Sequence, residues 1–236
     1  MIGMTNFDFY GEWENYAKNH LGISSMQFHT WGKLQDSIYG NVQSSLTPYI
    51  LEERKMNVTQ MDIFSRMMHE RILWLAGPVN DQMSTVACAQ LMFLENLDPK
   101  KDIVCYVDSP GGSVKSGLSI VDVMNYISPD IATINTGMAA SMGSILLGSG
   151  TKGKRAALPN SRVMLHQVSH GVQGNVQDTR ISMAESEKYN DKLFNILGEA
   201  TGKDPKKVME DATRDLWLDA DDALAYGIID EVIKKK

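Results

Sequence analysis

Apolar runs that alternate with helix-length segments predict an α/β fold of βαβ units, with a mostly parallel sheet covered by helices. Three observations support this prediction. From Ile72 onward, short β-leaning runs alternate with segments of about 10 to 16 residues at helical spacing. The runs in RILWLAGPV, DIVCYVDSP and IATINTG are apolar, as strands in a helix-covered sheet must be. Each run ends at glycine, where a strand hands over to a helix: Gly77, Gly111-Gly112 and Gly137.

Taken in order, RILWLAGPV reads as a strand ending at Gly77-Pro78. Asp81 is a suitable cap for the helix that follows, which carries Val86, Leu91 and Leu94 on one side. DIVCYVDSP, from Asp102 to Pro110, is a buried strand, followed by a helix from about Val114 to Ile127. IATINTG is the next strand and leads into a helix at Ser141. RVMLHQ, from Arg162 to Gln167, is a further short strand. Asp178 to Glu199 forms a long charged amphipathic helix, and two shorter helices are expected near Pro205–Ala212 and Asp219–Tyr226 before GIIDEVI closes the pattern.

The 236 residues suit one domain with an appendage and can bury a sizeable core. Net charge is -6, and the only basic run is Lys234 to Lys236, which argues against nucleic acid as a partner. No run of about 18 apolar residues is present, so no helix is expected to cross a membrane. Asp8, Glu12 and Glu14 stand where a secretory signal or an Arg-rich transit peptide would have none. The two cysteines, Cys88 and Cys105, sit in apolar runs and read as buried free thiols in a reducing compartment, so the expected location is the cytoplasm. Residues 1 to about 44 hold eight of the 18 aromatic side chains, too many for a plain linker. Gly3, Gly11, Gly22, Gly32 and Gly40 interrupt any long helix there, so this stretch reads as an appendage that packs on something or a segment that is removed.

Reactive groups in such a fold collect at the carboxyl ends of strands. Three segments meet that description: DSPGG at 108–112, GMAASMG at 137–143 and MLHQ at 164–167. They supply glycine N–H groups, a serine and a histidine, the parts acyl transfer requires. Ser141 lies among small residues at a strand-to-helix junction, where its hydroxyl can be exposed; the competing reading is a helix packed on the sheet through small side chains. His166 ends a strand. His170, four residues on, is its competitor; His69 reads as a surface or cap residue, and His20 and His29 lie in the appendage. Neither cysteine has the basic neighbours that an activated thiol needs.

The chain resembles the ClpP family of ATP-dependent serine protease subunits. The matching stretches are SLTPYILEE at 45–53, DIFSRMMHERILWLAGPVND at 62–81, FLENLDPKKDIVCYVDSPGGSV at 93–114, GMAASMGSILLGSGTKGKRAALPNSRVMLHQ at 137–167 and TRDLWLDADDALAYGIID at 213–230. The resemblance covers roughly residues 45 to 233 and leaves residues 1–44 outside. The resemblance implies the ClpP/crotonase-type fold with a protruding handle helix. It implies Ser141 as nucleophile, His166 as general base and Asp215 as the residue that holds the imidazole, with Asp211 the alternative. It assigns the oxyanion donors to the N–H groups of Gly112 and Met142; glycine at 112 would let substrate lie along its backbone.

Further implications concern assembly. The family forms two stacked heptameric rings around a chamber fed with unfolded protein by an AAA+ unfoldase of the ClpX or ClpA/ClpC type. Its docking positions match Phe93, Tyr106, Tyr126 and Ile233, which otherwise read as core or subunit-contact side chains; Val104 and Ala156 are smaller than usual there. No cofactor or metal is implied for this chain, since ATP is used by the unfoldase and no Gly-x-x-x-x-Gly-Lys loop is present. Residues 1–44 are expected to be a propeptide, unusually long for the family and cut near Ser44-Ser45. Residues 45–61 should form the axial pore, and 62–236 the protease domain with its handle at about 168–199. VQGNVQD, at 172–178, is expected to be the strand-like ring–ring contact. Val168-Ser169-His170 stands where proline is frequent, and Thr213 replaces a usually acidic residue beside the retained Arg214, so that contact should depend less on an ion pair. Three other readings remain: a crotonase-type acyl-CoA hydratase or isomerase, an inactive structural ring subunit, and a capsid-maturation protease on the same fold.

Overall fold

The computed structural model describes residues 49–54, 57–169, 171 and 173–234. The expected propeptide and cut site, and the pore residues up to Pro48, lie outside the described residues. The chain divides into two compact units, Met1–Arg66 and Met67–Lys236. In the first, β1 (Tyr49–Arg54) and β2 (Asn57–Asp62) pair antiparallel from Tyr49↔Asp62 to Arg54↔Asn57. Asp62 then opens α1 (Ile63–His69), its carboxylate accepting from the N–H groups of Phe64 and Ser65 at 3.0 and 3.1 Å. His69 ends α1 and is exposed.

The second unit is the predicted α/β layer structure. Its sheet runs in the order β3 (Ile72–Ala76), β4 (Ile103–Ser109), β5 (Ile131–Ala140), β6 (Arg155–Ala157), β9 (Glu231–Val232). These strands are all parallel. β5 also pairs with β7 (Arg162–Leu165), and β7 pairs antiparallel with β8 (Leu216–Asp219). Alternate residues Leu73, Leu75, Ile103, Cys105, Val107 and Ile131 point into one core. Burial pushes the Cys105 thiol up to about 12, leaving it inert. Cys88 is only partly buried, contrary to expectation; its Sγ lies 3.6 Å from the Ser119 carbonyl oxygen.

The helices fall where periodicity puts them, with local corrections. α2 (Asp81–Leu97) is capped by Asn80, whose side chain accepts from Met83 N–H. Asp81 is not the cap; its carboxylate accepts the Ser116 hydroxyl at 2.6 Å and so ties α2 to α3 (Val114–Tyr126). The buried stripe of α2 is Ala87, Leu91 and Leu94, while Val86 is exposed, one position round the helix. α4 (Met142–Gly148) is buried along its whole length. α5 (Val176–Thr201) starts two residues before the expected Asp178 because Asn175 caps it, accepting from Gln177 and Asp178 N–H. VQGNVQD is therefore not a strand over its described residues: its last three residues are the first turn of α5. The buried side chains of α5 are confined to its last third, at Leu193, Phe194, Leu197 and Gly198. Val176, Ile181 and Met183 on the rest are exposed. α6 (Pro205–Asp211) and α7 (Ala220–Tyr226) complete the seven helices of the described residues, none long and apolar enough to cross a membrane.

β6 was not predicted, because Arg155 makes its three residues read as surface. Arg155 is instead 3% exposed and forks onto Asp230, with Nε and Nη2 at 2.8 and 2.6 Å from the carboxylate. Its Nη1 donates to the Ala200 carbonyl. One guanidinium thus joins β6, the turn before β9 and the end of α5. The hydrogen bonds from Arg155 hold the Asp230 carboxyl below its ordinary range. Replacing Asp230 with Asn strands a buried charge and should cost about 3–5 kcal/mol at pH 7 in chemical denaturation. A carboxyl with a depressed folded pKa stabilises above its unfolded pKa and loses that contribution as pH falls through the folded value. The gap between wild type and Asp230→Asn should therefore narrow between pH 5 and the strongly acid range.

Candidate active site

Backbone register brings the three expected residues together. β5 and β7 run parallel through Met138↔Arg162, Ala139↔Val163 and Ala140↔Met164, so both end on the same side of the sheet. Ser141 follows β5 directly, and its N–H donates to the Met164 carbonyl at 2.9 Å. β8 runs back along β7 with Leu165 opposite Leu216, which makes His166 and Asp215 the next residues along that ladder. The outcome is His166 Nε2 2.8 Å from Ser141 Oγ and His166 Nδ1 3.5 Å from an Asp215 oxygen. The first is a good hydrogen bond; the second is longer than a direct one. Asp215 is 61% exposed on its outer side.

Ser141 sits on a strained turn. Its φ of 53° and ψ of -123° are unfavourable for a residue with a side chain. The turn is locked from both sides: its N–H is held by β7, and its carbonyl accepts from Ser144 Oγ at 2.6 Å and Ser144 N–H at 3.0 Å. β5 itself is longer than the predicted IATINTG. Against β4 its register moves from Val107↔Asn135 to Ser109↔Ala139, so a bulge spans 136–138. The Asp108 carboxylate accepts the Met138 N–H that the bulge releases, at 3.0 Å.

The glycine segment is held as tightly. Val79 N–H donates to the Gly111 carbonyl and Ser113 N–H to the Val79 carbonyl, both at 2.8 Å. In such a parallel bridge the N–H and C=O of the intervening Gly112 point the other way, toward the site. Glycine at 112 has a structural reason besides the expected one. A Cβ there would run into the Val79 carbonyl oxygen at φ 147°, so Val79 and backbone conformation also demand glycine. Gly111 has φ 94°, and a Cβ there would lie 2.5 Å from Ser141 Cβ. Ser109, which sequence reasoning passed over, is fully buried; its hydroxyl donates to the Gly77 carbonyl at 2.7 Å and accepts from Gly111 N–H at 3.1 Å. Met142 opens α4, where a backbone N–H has no partner within the helix.

A pocket opens beside Ser141, lined by Gly112, Val114, Met142, Ile145, His166 and Val168, and walled by Leu193, Phe194 and Leu197 of α5. The helix read from sequence as a handle therefore also builds the site. Asn190 of α5 accepts from Val168 N–H at 3.0 Å and fixes the chain just past His166.

The alternatives fare differently. Asp211 is elsewhere: it bonds Lys207 at 2.9 Å and the Tyr226 hydroxyl at 3.0 Å, and the Lys207 ammonium holds its carboxyl below the usual range. His20, His29 and His170 lie outside the described residues. Of the expected docking side chains, Phe93 on α2 and Tyr126 on α3 are 49% and 78% exposed. Tyr106 stacks at 4.9 Å against Trp74, and Ile233 follows β9. Val104 is half-buried on β4 and Ala156 is buried in β6. Thr213 closes α6 through a hydroxyl bond to the Glu210 carbonyl, and Arg214 is exposed. Among the described residues no group of three or more His, Cys, Asp or Glu side chains could hold a metal.

Comparison with known proteins bears on the same residues. The family model described as Clp protease matches residues 54–236. Three relatives named ATP-dependent Clp protease proteolytic subunit come from Bacteroides fragilis, Bacteroides thetaiotaomicron and Porphyromonas gingivalis. They are 47%, 46% and 45% identical, each over 95% of this chain and 98% or more of the relative. The match to the first extends over 225 residues, 95% of the 236, so only about a dozen lie outside it. Most of residues 1–44 therefore belongs to the likeness, contrary to the expectation that they fall outside it; the motifs quoted from sequence begin only at Ser45.

Gly111→Ala should drive a methyl group into Ser141. Loss of about 1–3 kcal/mol in thermal or chemical denaturation is expected from the strained φ and the contact together. Equal stability to wild type would show that the elbow can yield.

Proposed function

The chain belongs to the Clp protease family, and from that membership and the site geometry we propose that it is a serine endopeptidase acting through Ser141, His166 and Asp215. The observation that carries the reading is the 2.8 Å contact between Ser141 Oγ and His166 Nε2 at a strained strand-to-helix turn. His166 Nε2 takes the hydroxyl proton as Oγ attacks the substrate carbonyl carbon. Asp215, on the Nδ1 side, selects the tautomer and stabilises the imidazolium. The N–H groups of Gly112 and Met142 receive the negative charge that forms on the carbonyl oxygen. Collapse of the tetrahedral species breaks the C–N bond, and His166 returns its proton to the leaving amine. Water, deprotonated by the same imidazole, then releases the acyl group and restores Ser141.

The free backbone edge of Gly112 suits an extended peptide that adds a strand. The apolar lining from Val114, Ile145, Leu193, Phe194 and Leu197 suits an apolar substrate side chain beside the cleaved bond. In this reading the chain works as two stacked heptamers in the cytoplasm. An AAA+ unfoldase of the ClpX or ClpA/ClpC type uses the ATP, docks at Phe93, Tyr106, Tyr126 and Ile233, and feeds unfolded protein into the chamber. The relatives' shared name supports the division of labour with an ATP-using partner. The exposure of Phe93 and Tyr126 supports the docking positions. Self-cleavage near Ser44-Ser45 would remove residues 1–44.

A fluorophosphonate should label Ser141, and Ser141→Ala should lose both label and peptide hydrolysis; an unlabelled wild type overturns the reading. Asp215→Asn should lower kcat by two to four orders of magnitude, as expected when the imidazole loses its orienting carboxylate. Asp211→Asn should leave kcat within about twofold of wild type, since Asp211 is engaged with Lys207 and Tyr226. Mass spectrometry should find a shortened wild type and a full-length Ser141→Ala; any other pairing rules out self-processing.

A further inference from the structure

β5 changes neighbour halfway along its length. Thr133 to Asn135 pair with Arg155 to Ala157 of β6, and Met138 to Ala140 pair with Arg162 to Met164 of β7. The loop between β6 and β7 lies across the gap. Asn135 stands at this fork and is fully buried. Its backbone carbonyl accepts from Leu158 N–H at 2.9 Å, holding the outgoing end of β6. Its side-chain Nδ2 donates to the Arg162 carbonyl at 2.9 Å, holding the first residue of β7. A single residue therefore grips both ends of the loop.

Its other amide atom argues that this grip matters for more than folding. Asn135 Oδ1 is buried with no hydrogen-bond partner among the described residues. A buried unpaired acceptor is costly. The amide is therefore kept at that cost for what its other atom does, which is to hold the Arg162 carbonyl. The place of that bond gives it a consequence for the site. β7 is four residues long, with His166 one residue past its end, and β5 leads through its bulge to Ser141. A short strand pinned at its first residue delivers its last residue to a fixed place, and a displacement of about 1 Å at a reacting group can cost 10²-fold in rate.

We propose that Asn135 is a positioning residue for the Ser141–His166 pair: its side-chain amide sets where β7 begins and hence where the imidazole stands relative to the hydroxyl. This rests on the serine-protease reading above. Arg162 carries two further ties that serve the same end. Its guanidinium is 3.0 Å from Asp219 and lies 5.5 Å over the Trp217 ring, fixing β7 against the strand that follows Asp215.

The test is Asn135→Leu in the full-length protein, assayed on a short fluorogenic peptide where wild type and variant are both fully folded. The expected result is a fall in kcat of about tenfold per folded molecule, with KM within twofold and fluorophosphonate labelling of Ser141 slowed in proportion. An unchanged kcat per folded molecule overturns the proposal, as does a lower activity accounted for wholly by loss of folded protein. If Asn135→Leu does not fold, Asn135→Ser, whose hydroxyl is too short to reach the Arg162 carbonyl, is measured in the same way and judged by the same outcomes. Failure of the underlying reading is distinguishable, because wild type itself would then take no label.

Discussion

The site depends on the placement of β7, a strand of four residues bonded along both edges. On one side it runs parallel to the end of β5; on the other it runs antiparallel to β8. These three strands suffice to bring serine, histidine and aspartate together, because each residue is the first beyond its own strand end. A slip of one residue in either ladder would turn His166 to the opposite face and separate all three. Residues far apart in sequence are thus related by ordinary strand spacing.

Rigidity around this patch comes from burial on one side and backbone hydrogen bonds on the other. α4 has no exposed residue, so the helix behind Ser141 has no room to shift. Ser109 and Ser144 spend their hydroxyls on backbone groups rather than on chemistry, each holding a turn that would otherwise relax. The strain at Ser141 survives because its N–H and its carbonyl are both claimed by neighbours. The outer rim is looser: Asp215 faces water, and its long contact with His166 is the least constrained link in the chain of groups.

Much of this was legible in the sequence, for identifiable reasons. Ser141 and His166 stand just beyond apolar runs, so the sequence marks both as strand-end residues, while their competing readings are settled only by the strand pairing. Asp215 was legible only through family resemblance, because aspartates are many and LWLD has no alternation that marks a strand. The β5 bulge could not be read, since it exists only in the register against β4. Asp81 read as a cap because its type suits one, but the distant hydroxyl of Ser116 takes its carboxylate and Asn80 does the capping. Arg155 was unreadable for a related reason: only Asp230, 75 positions away, makes it interior. The contact of the Asn135 amide likewise depends on a carbonyl 27 positions on.

The outward-facing edge of Gly112 has a consequence for information. Its N–H and C=O are common to nearly every residue of every polypeptide, so contacts made there carry almost no message about sequence. What remains is an apolar hollow that reads at most one side chain. On the proposed reading, such a site is close to indifferent among extended chains. Selectivity in a machine built on this geometry lies upstream of the bond that is cut, in whatever decides which chains arrive unfolded.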